Sequence, residues 1–493
     1  MRLLLSIAPL LSLMLALEGI GAEPAKTKTP LPREAESAMR RAGEYYRRAV
    51  STHGGYVYHY SLDLKRRWGE GEANTDQVWV QPPGTPTVGQ AFLHAYEATG
   101  DTFYLDAAKD AANALIHGQL VSGGWTNSVD FNPKGEKTAR YRNGKGRAKG
   151  PNNSTLDDGI SQAAIRFILH LDKVLAGRDA AIHESAQLAL ESLLKAQFPN
   201  GGFPQIWTGP VSARPVLKAS YPEGYDWRTE GKIRDYWNMY TLNDGLAGTV
   251  SATLLNAFEL TGDVRCKEAL IHLGDFLILA QMPDPQPAWA QQYGESMHPI
   301  WARRFEPPAV AGSESQDVLE TLLVIYQFTR DPKYLEPFTK ALPYLKKSVL
   351  ADGRLARYQE LKTNRPLYMN RKGKDYFLTY DDTNLPDHYG WKGESRLAEI
   401  EARYLAIKAG KPDPRCGSTE GELEQSVRKI IADLDQQGRW VSEYQGERLV
   451  GQPKFARNMP YLSSAVFSQN LETLSRYLKA SVAKPVSQSN EKK

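Results

Sequence analysis

TGDTFYLDAAKDAANALIHGQLVSGGW (residues 99–125) recurs three more times along the chain in altered form. Each copy begins with a turn that contains an aspartate and continues through an amphipathic stretch. The other copies occupy residues 176–203, 261–289 and 329–355. Three of the four have glutamine eighteen positions after the turn aspartate, and three have glycine four positions later. The aspartates that align the copies are Asp101, Asp179, Asp263 and Asp331. Such constant spacing indicates a structural repeat.

A second apolar run precedes every copy, and its apolar residues recur three and four positions apart, as at Ile165, Ile168 and Leu169. This period is typical of a helix and not of a strand. The repeating unit is therefore a helical hairpin, with steps of 78, 84 and 68 residues between the aligned aspartates. Successive helical hairpins of this length are expected to be arranged side by side in an arc or a ring. We predict an all-α fold, an α/α toroid of incomplete (α/α)3 type with long loops and a few short strands.

The two ends of the chain differ from this repeat. Arg2 is followed by an apolar run and then by small residues, a pattern typical of a secretory signal peptide over residues 1–22. We expect an N-terminal extension packing on the toroid (23–85), a toroidal catalytic domain (86–480) and a disordered tail (481–493). The sequence thus predicts a secreted or periplasmic protein without a membrane span, and we expect a monomer.

Composition excludes several classes of function. The 493 residues carry a net charge of +4, which is too small to indicate nucleic-acid binding, although it is compatible with an acidic polymer. No phosphate-binding glycine motif is present. The two cysteines, Cys266 and Cys416, lie 150 positions apart, and they either pair or remain buried thiols.

Two similar acidic turns, STLDDG (154–159) and YTLNDG (240–245), each precede a predicted helix. If the hairpins are equivalent, both turns lie at one end of the toroid. The carboxylates could cap the helices, serve as an acid–base pair, or bind a hard cation. Capping is the default interpretation, but it accounts poorly for two adjacent acids in the first turn. An all-oxygen set suits Ca²⁺ better than zinc; its members are Asp157, Asp158, Asn243 and Asp244.

Arginines are expected at the same end. Arg303 and Arg304 lie in the loop that leads to the fourth hairpin, and Arg357, Arg365 and Arg371 lie downstream. A guanidinium group matches the geometry of a carboxylate. Acids that bind a cation, beside arginines that bind carboxylates, indicate a site for a polyuronate.

Several runs resemble the pectate lyases of polysaccharide lyase family 10, in that family's order. They are AQFPNGGFPQ (196–205), STLDDG, YTLNDG, PAWAQQYG (287–294), ARRFEPP (302–308) and ARYQELKTNRPLYMNRKG (356–373). The resemblance implies calcium-assisted β-elimination of α-1,4-linked polygalacturonate on an α/α toroid.

The resemblance also assigns roles to individual residues. It implies metal binding by Asp157, Asp158 and Asp244, where the family has asparagine at the position of Asp158. It implies that Arg303 is the Brønsted base and that Arg357 and Arg371 bind substrate, to which we add Arg304 and Asn243. Because arginine is almost always protonated, chemistry alone would favour a base such as Tyr240.

Three alternatives remain open at this point. The first is a glycoside hydrolase that acts on uronides on the same toroid, with Asp157 and Asp244 as acid and base. The second is a non-catalytic polyuronate-binding protein. The third is a helical scaffold in which the acidic turns serve only as caps.

Overall fold

A computed structural model describes residues 30–223, 233–387, 389–414 and 420–482. The predicted signal peptide, the predicted tail and Cys416 lie outside these ranges. Cys266 is buried, and burial raises the pKa of its thiol to about 11. No helix within the described ranges is long and apolar enough to span a membrane.

Twelve α-helices lie in the described part of the chain. They are α1 (Pro30–Tyr45), α2 (Thr85–Thr99), α3 (Thr102–Gly118), α4 (Ile160–Val174), α5 (Ala180–Lys195), α6 (Leu246–Thr261), α7 (Val264–Leu279), α8 (Gly312–Thr329), α9 (Phe338–Lys347), α10 (Leu397–Lys408), α11 (Glu420–Ala432) and α12 (Ser464–Val482). The helices α12, α2, α4, α6, α8 and α10 pack in this order as an inner layer. On the outside, α3, α5 and α7 form hairpins with α2, α4 and α6, and α9 packs against α10.

The predicted α/α toroid is confirmed, but it contains more hairpins than an (α/α)3 arrangement. The N-terminal helix α1 packs against the C-terminal helix α12, and α11 contacts both. The first and last helices of the described ranges therefore join to build part of the ring. The repeat could not show this because α1 and α12 are separated by most of the sequence and share no motif.

Three aligned aspartates of the repeat cap the outer helices α3, α5 and α7, and the fourth, Asp331, caps the short 3-10 helix Pro332–Leu335 that precedes α9. In each hairpin the carboxylate accepts a hydrogen bond from a backbone N–H in the first turn, which satisfies one of the donors left open there. The pairs are Asp101 with Phe103 N (2.9 Å), Asp179 with Ile182 N (3.3 Å), Asp263 with Arg265 N (3.0 Å) and Asp331 with Lys333 N (3.0 Å).

The repeated glutamines join neighbouring hairpins. Nε2 of Gln119 donates to the carbonyls of Gly123 (2.9 Å) and Ser185 (3.1 Å), the second of which belongs to the next outer helix. Two further glutamines repeat this contact: Gln197 donates to Gly201 O and Ala269 O, and Gln281 donates to Pro287 O and Pro337 O. The conserved spacing within the repeat thus reflects contacts between hairpins.

Short antiparallel strands lie where the chain enters the inner helices. The strands are β1 (His59–Ser61), β2 (Arg67–Trp68), β3 (Glu72–Ala73), β4 (Gln77–Trp79), β5 (Ser128–Asp130), β6 (Ser154–Thr155), β7 (Ile206–Trp207), β8 (Tyr240–Thr241), β9 (Gln292–Tyr293), β10 (Val310–Ala311), β11 (Leu355–Ala356), β12 (Tyr358–Gln359), β13 (Pro366–Lys372), β14 (Asp375–Thr379), β15 (Lys392–Gly393), β16 (Val441–Glu443) and β17 (Pro460–Ser463). Four of them (β4, β6, β8 and β10) precede α2, α4, α6 and α8, and they pair with β5, β7, β9 and β12 respectively. These ladders hold the loops of one end of the toroid in place.

Candidate functional site

The two acidic turns lie between a short strand and an inner helix, β6 to α4 and β8 to α6, but they do not cap these helices. Asp158 (φ 48°) and Asp244 (φ 51°) have left-handed backbone conformations, which are unfavourable for residues with a side chain. The N-cap positions are Gly159 and Gly245, and neither helix has a side-chain cap. The capping interpretation is therefore wrong for these turns, because the turn geometry directs the carboxylates elsewhere.

The carboxylates of both turns converge. One oxygen each from Asp157, Asp158 and Asp244 lie within 4.8 Å of one another, and no other group of three such residues is found in the described ranges. Oδ1 of Asp157 is buried and has no hydrogen-bond partner. Oδ2 of Asp158 accepts a hydrogen bond from Nε2 of Gln81 at 2.9 Å. We call these three aspartates the carboxylate cluster.

Burial and mutual repulsion raise the pKa of two carboxyl groups of this cluster. Burial, followed by the charge of Asp157, raises the pKa of the Asp244 carboxyl to about 8, and the nearby Arg357 only partly opposes this. The same two causes raise the pKa of Asp158 to about 6. The Asp158 side chain is exposed, so solvent screens its repulsion by neighbouring carboxylates, whereas only 25% of the Asp244 side chain is exposed. The stronger shift therefore belongs to Asp244.

Arg303 lies directly against the carboxylate cluster. Its Nη2 is 3.0 Å from Oδ2 of Asp157, and its Nη1 is 3.7 Å from Oε1 of the buried Glu306. Oε2 of Glu306 also accepts the backbone N–H of Arg303 at 2.9 Å. Burial alone would lower the pKa of Arg303, but Glu306, Asp157 and Asp244 raise it above the ordinary arginine value.

Arg357 lies on the other side of the cluster. Its Nη2 donates to Oε1 of Glu314 at 3.1 Å and to Oδ1 of Asn243 at 3.3 Å, and it is 3.6 Å from Oδ1 of Asp244. The guanidinium carbon lies 4.2 Å from the ring centroid of Tyr389, a cation–π contact. Tyr389 in turn donates to Oε1 of Glu306 at 2.8 Å, which links the surroundings of the two arginines.

The remaining residues predicted for the site differ in how they relate to the carboxylate cluster. Asn243 is buried, and its amide donates to Asp244. Arg304 is exposed, and Arg371 is exposed on β13; neither side chain makes a hydrogen bond or ion pair with the cluster, so their roles stay predictions. The Tyr240 ring is buried against Phe198 and Phe276, which argues against Tyr240 as a base.

Three residues of the site escaped the sequence analysis as functional candidates: Gln81, Glu306 and Tyr389. The run Ser-Glu-Ser (313–315) was expected at the same end of the toroid as the acidic turns, and its Glu314 stands in the first turn of α8 beside Arg357. Gln81 and Tyr389 lie outside the four repeats, so nothing in the repeat points to them.

The sequence of the central part of the chain is similar to that of a known enzyme family. Residues 119–327 match the family model described as Pectic acid lyase. The resemblance read from the motifs is confirmed. The enzyme class is therefore that of a polysaccharide lyase, and the matched segment contains the whole carboxylate cluster and Arg303. A comparison with curated proteins gives no match.

Solved structures with similar folds include two of a family 10 polysaccharide lyase from Cellvibrio cellulosa. The first, a mutant in complex with trigalacturonic acid, is 19% identical over 66% of this chain and 98% of its own, with a TM-score of 0.45. The second is 20% identical over 66% and 97% of the two chains, also with a TM-score of 0.45. Cellobiose 2-epimerase from Spirochaeta thermophila is 14% identical over 93% and 100%, with a TM-score of 0.43.

The residues of the cluster fit a divalent cation. All donors are oxygens, which Ca²⁺ prefers, and three carboxylates provide the negative charge that it requires. The unpartnered buried oxygen of Asp157 and the raised pKa of Asp244 both indicate an excess of negative charge that a bound cation would neutralise. The cluster supplies fewer oxygens than the six to eight that Ca²⁺ takes, which leaves positions for water and for a substrate carboxylate.

Proposed function

We propose that this protein is a secreted or periplasmic pectate lyase that cleaves α-1,4-linked polygalacturonate by calcium-assisted β-elimination. The family match supports the enzyme class and the substrate class. The complex of the Cellvibrio enzyme with trigalacturonic acid agrees with a galacturonate substrate. The apolar run near the N-terminus supports export.

One observation carries the proposal: a cluster of three carboxylates stands between two arginines. Arg303 contacts it through Asp157 and Arg357 contacts it through Asp244. A plain acid–base pair needs no flanking cations. A uronate bound here can place its carboxylate against the guanidinium groups and a cluster-bound cation, whose charge stabilises the anion that forms on loss of the C5 proton.

The reaction requires one base and one leaving group. A base removes the proton from C5, the electron pair of that C–H bond forms the C4–C5 double bond, and the C4–O bond to the neighbouring sugar breaks. The departing oxygen keeps the electron pair of the C4–O bond and takes up a proton from the solvent. Arg303 is the proposed base because it lies directly against the cluster and because the resemblance to pectate lyases implies this role for it. Its raised pKa arises from nearby carboxylates, so neutralising Asp157 and Asp244 removes part of what holds the proton on Arg303.

The test measures unsaturated product. Wild-type protein is incubated with polygalacturonate, with Ca²⁺ or with a chelator, and the ultraviolet absorbance of the new double bond is followed. We expect a calcium-dependent increase that Arg303→Ala abolishes while polymer binding persists. Retained activity in Arg303→Ala would exclude it as the base, and binding without turnover by the wild type would favour a non-catalytic binding protein.

Hydrolysis of uronides is the second candidate, and one observation favours it. A carboxyl with a pKa of about 8, such as that of Asp244, is protonated at neutral pH and could act as a general acid. However, the oxygens of Asp157 and Asp244 lie within 4.8 Å, slightly closer than the roughly 5–5.5 Å between the carboxyls of a retaining glycosidase. Release of reducing ends without absorbance would establish this alternative.

A further inference from the structure

A strongly basic loop, residues 134–149, joins β5 to β6 and so leads directly into the first acidic turn. Seven lysines and arginines against one glutamate give it a net charge of +6. Because the whole chain has +4, the remainder of the protein carries a net −2. The positive charge of this protein is thus concentrated beside the predicted site for a polyanion.

Lys137 is held differently from the other basic residues of the loop. Its Nζ lies 4.3 Å from the ring centroid of Trp79, which is fully buried, and the lysine side chain is itself partly buried. The Lys137 ammonium makes no hydrogen bond or ion pair with the described residues. By contrast, Arg142 of the same loop pairs with Glu184 of α5 at 2.7 Å. A cation that lies over an aromatic ring and lacks an anionic partner can bind an anionic group of a ligand.

The segment that packs against Lys137 also contacts the carboxylate cluster. Trp79 is the last residue of β4, and two residues later Gln81 donates to Asp158. Burial lowers the pKa of Lys137, and the negative charges of Glu70 and Asp130 oppose this only in part. The charge of Glu70 also acts on Asp158, so Lys137 and Asp158 both lie within electrostatic range of one carboxylate.

We propose that Lys137 binds a second uronate carboxylate of the polymer, and that the basic loop extends the binding surface outward from the carboxylate cluster. This inference rests on the proposed function, since it assumes a polyuronate at the cluster. A linear polyuronate carries one carboxylate per sugar, so a chain held at the cluster presents further carboxylates to the rim. The unpaired ammonium of Lys137 satisfies one of them by a charge-assisted hydrogen bond.

The experiment compares Lys137→Met with Lys267→Met, which removes the same charge from an exposed position on the outer helix α7. Kinetics with polygalacturonate and with trigalacturonate give kcat and KM for each variant. We expect Lys137→Met to raise KM for the polymer about tenfold or more, with kcat nearly unchanged, because a charge-assisted hydrogen bond is lost. Lys137→Arg should restore most of the affinity, and Lys267→Met should match the wild type.

Several outcomes would overturn the assignment. Unchanged KM in Lys137→Met, or an equal rise in Lys267→Met, would show that Lys137 binds no carboxylate. An equal loss of affinity for dextran sulfate and polygalacturonate would indicate a general polyanion surface. If the wild type forms no unsaturated product, the proposed function fails separately, and affinity electrophoresis in polygalacturonate still tests Lys137. Should Lys137→Met fold poorly by its melting temperature, Lys137→Gln replaces it.

Discussion

Nη2 of Arg303 lies 3.0 Å from Oδ2 of Asp157, although 146 residues separate them in the chain. The contact joins the loop before α8 to the turn before α4, and it places a cation against a cluster of carboxylates. Arg303 is only 28% exposed, so the pair is partly shielded from solvent. The predicted base and the predicted metal ligands therefore lie at the same location in the fold.

Asp157 and Asp263 should respond oppositely to alanine substitution. Asp263 caps α7, so Asp263→Ala should lower the free energy of unfolding by about 1 kcal/mol and leave activity intact. Asp157 caps no helix, so Asp157→Ala should abolish calcium binding and activity without lowering the melting temperature. Thermal unfolding and calorimetric titration with Ca²⁺ measure the two effects. A destabilised but active Asp157→Ala protein would restore the capping interpretation.

Calcium affinity should increase with pH. A carboxyl must lose its proton to bind a cation, and the pKa of Asp244 is about 8 while that of Asp158 is about 6. Affinity should therefore rise from about pH 6 to about pH 8, by up to tenfold per unit while Asp244 titrates, and level off above. Titration at several pH values tests this, with Asp244→Asn as a control that keeps an oxygen ligand but cannot titrate. An affinity independent of pH would contradict the prediction.

His59 should make the protein sensitive to acid. It is 2% exposed, and burial lowers its pKa to about 4, against about 6.5 in an unfolded chain. Below pH 6.5 the unfolded state binds more protons than the folded state, so stability present above this pH is lost progressively down to pH 4, by about 3 kcal/mol. Denaturant unfolding between these pH values measures the slope. His59→Phe should flatten it, and an unchanged slope would exclude His59.

The glutamines between hairpins should contribute to stability. Gln119 is fully buried, and its amide donates to two carbonyls that would both lose a partner in Gln119→Ala. We expect a loss of about 1–3 kcal/mol in the free energy of unfolding, since buried acceptors are left unsatisfied. Gln437→Ala, at an exposed position, is the matched control and should have little effect. Equal stability of the two variants in denaturant would show that these contacts contribute nothing.

The local features of this fold could be predicted from the sequence because they depend on neighbouring residues. The helix period and the turn residues defined four hairpins, and three of the four aligned aspartates mark the caps of their outer helices. The role of the acidic turns was misjudged, since the same residue types cap a helix at Asp101 but adopt left-handed geometry at Asp158. Backbone conformation, which sequence alone did not distinguish here, decides between the two.

The sequence by itself determined the hairpin repeat, the resemblance of its central part to pectate lyases, the all-oxygen character of the acidic set and the presence of arginines near it. Only the tertiary structure showed that α1 joins α12, that Glu306 and Tyr389 link the two arginines, and that Lys137 rests on Trp79. The physical reason is separation along the chain. Repeats, periods and motifs are local in sequence, whereas a charged site is assembled from loops of several hairpins whose proximity arises only when the helices pack.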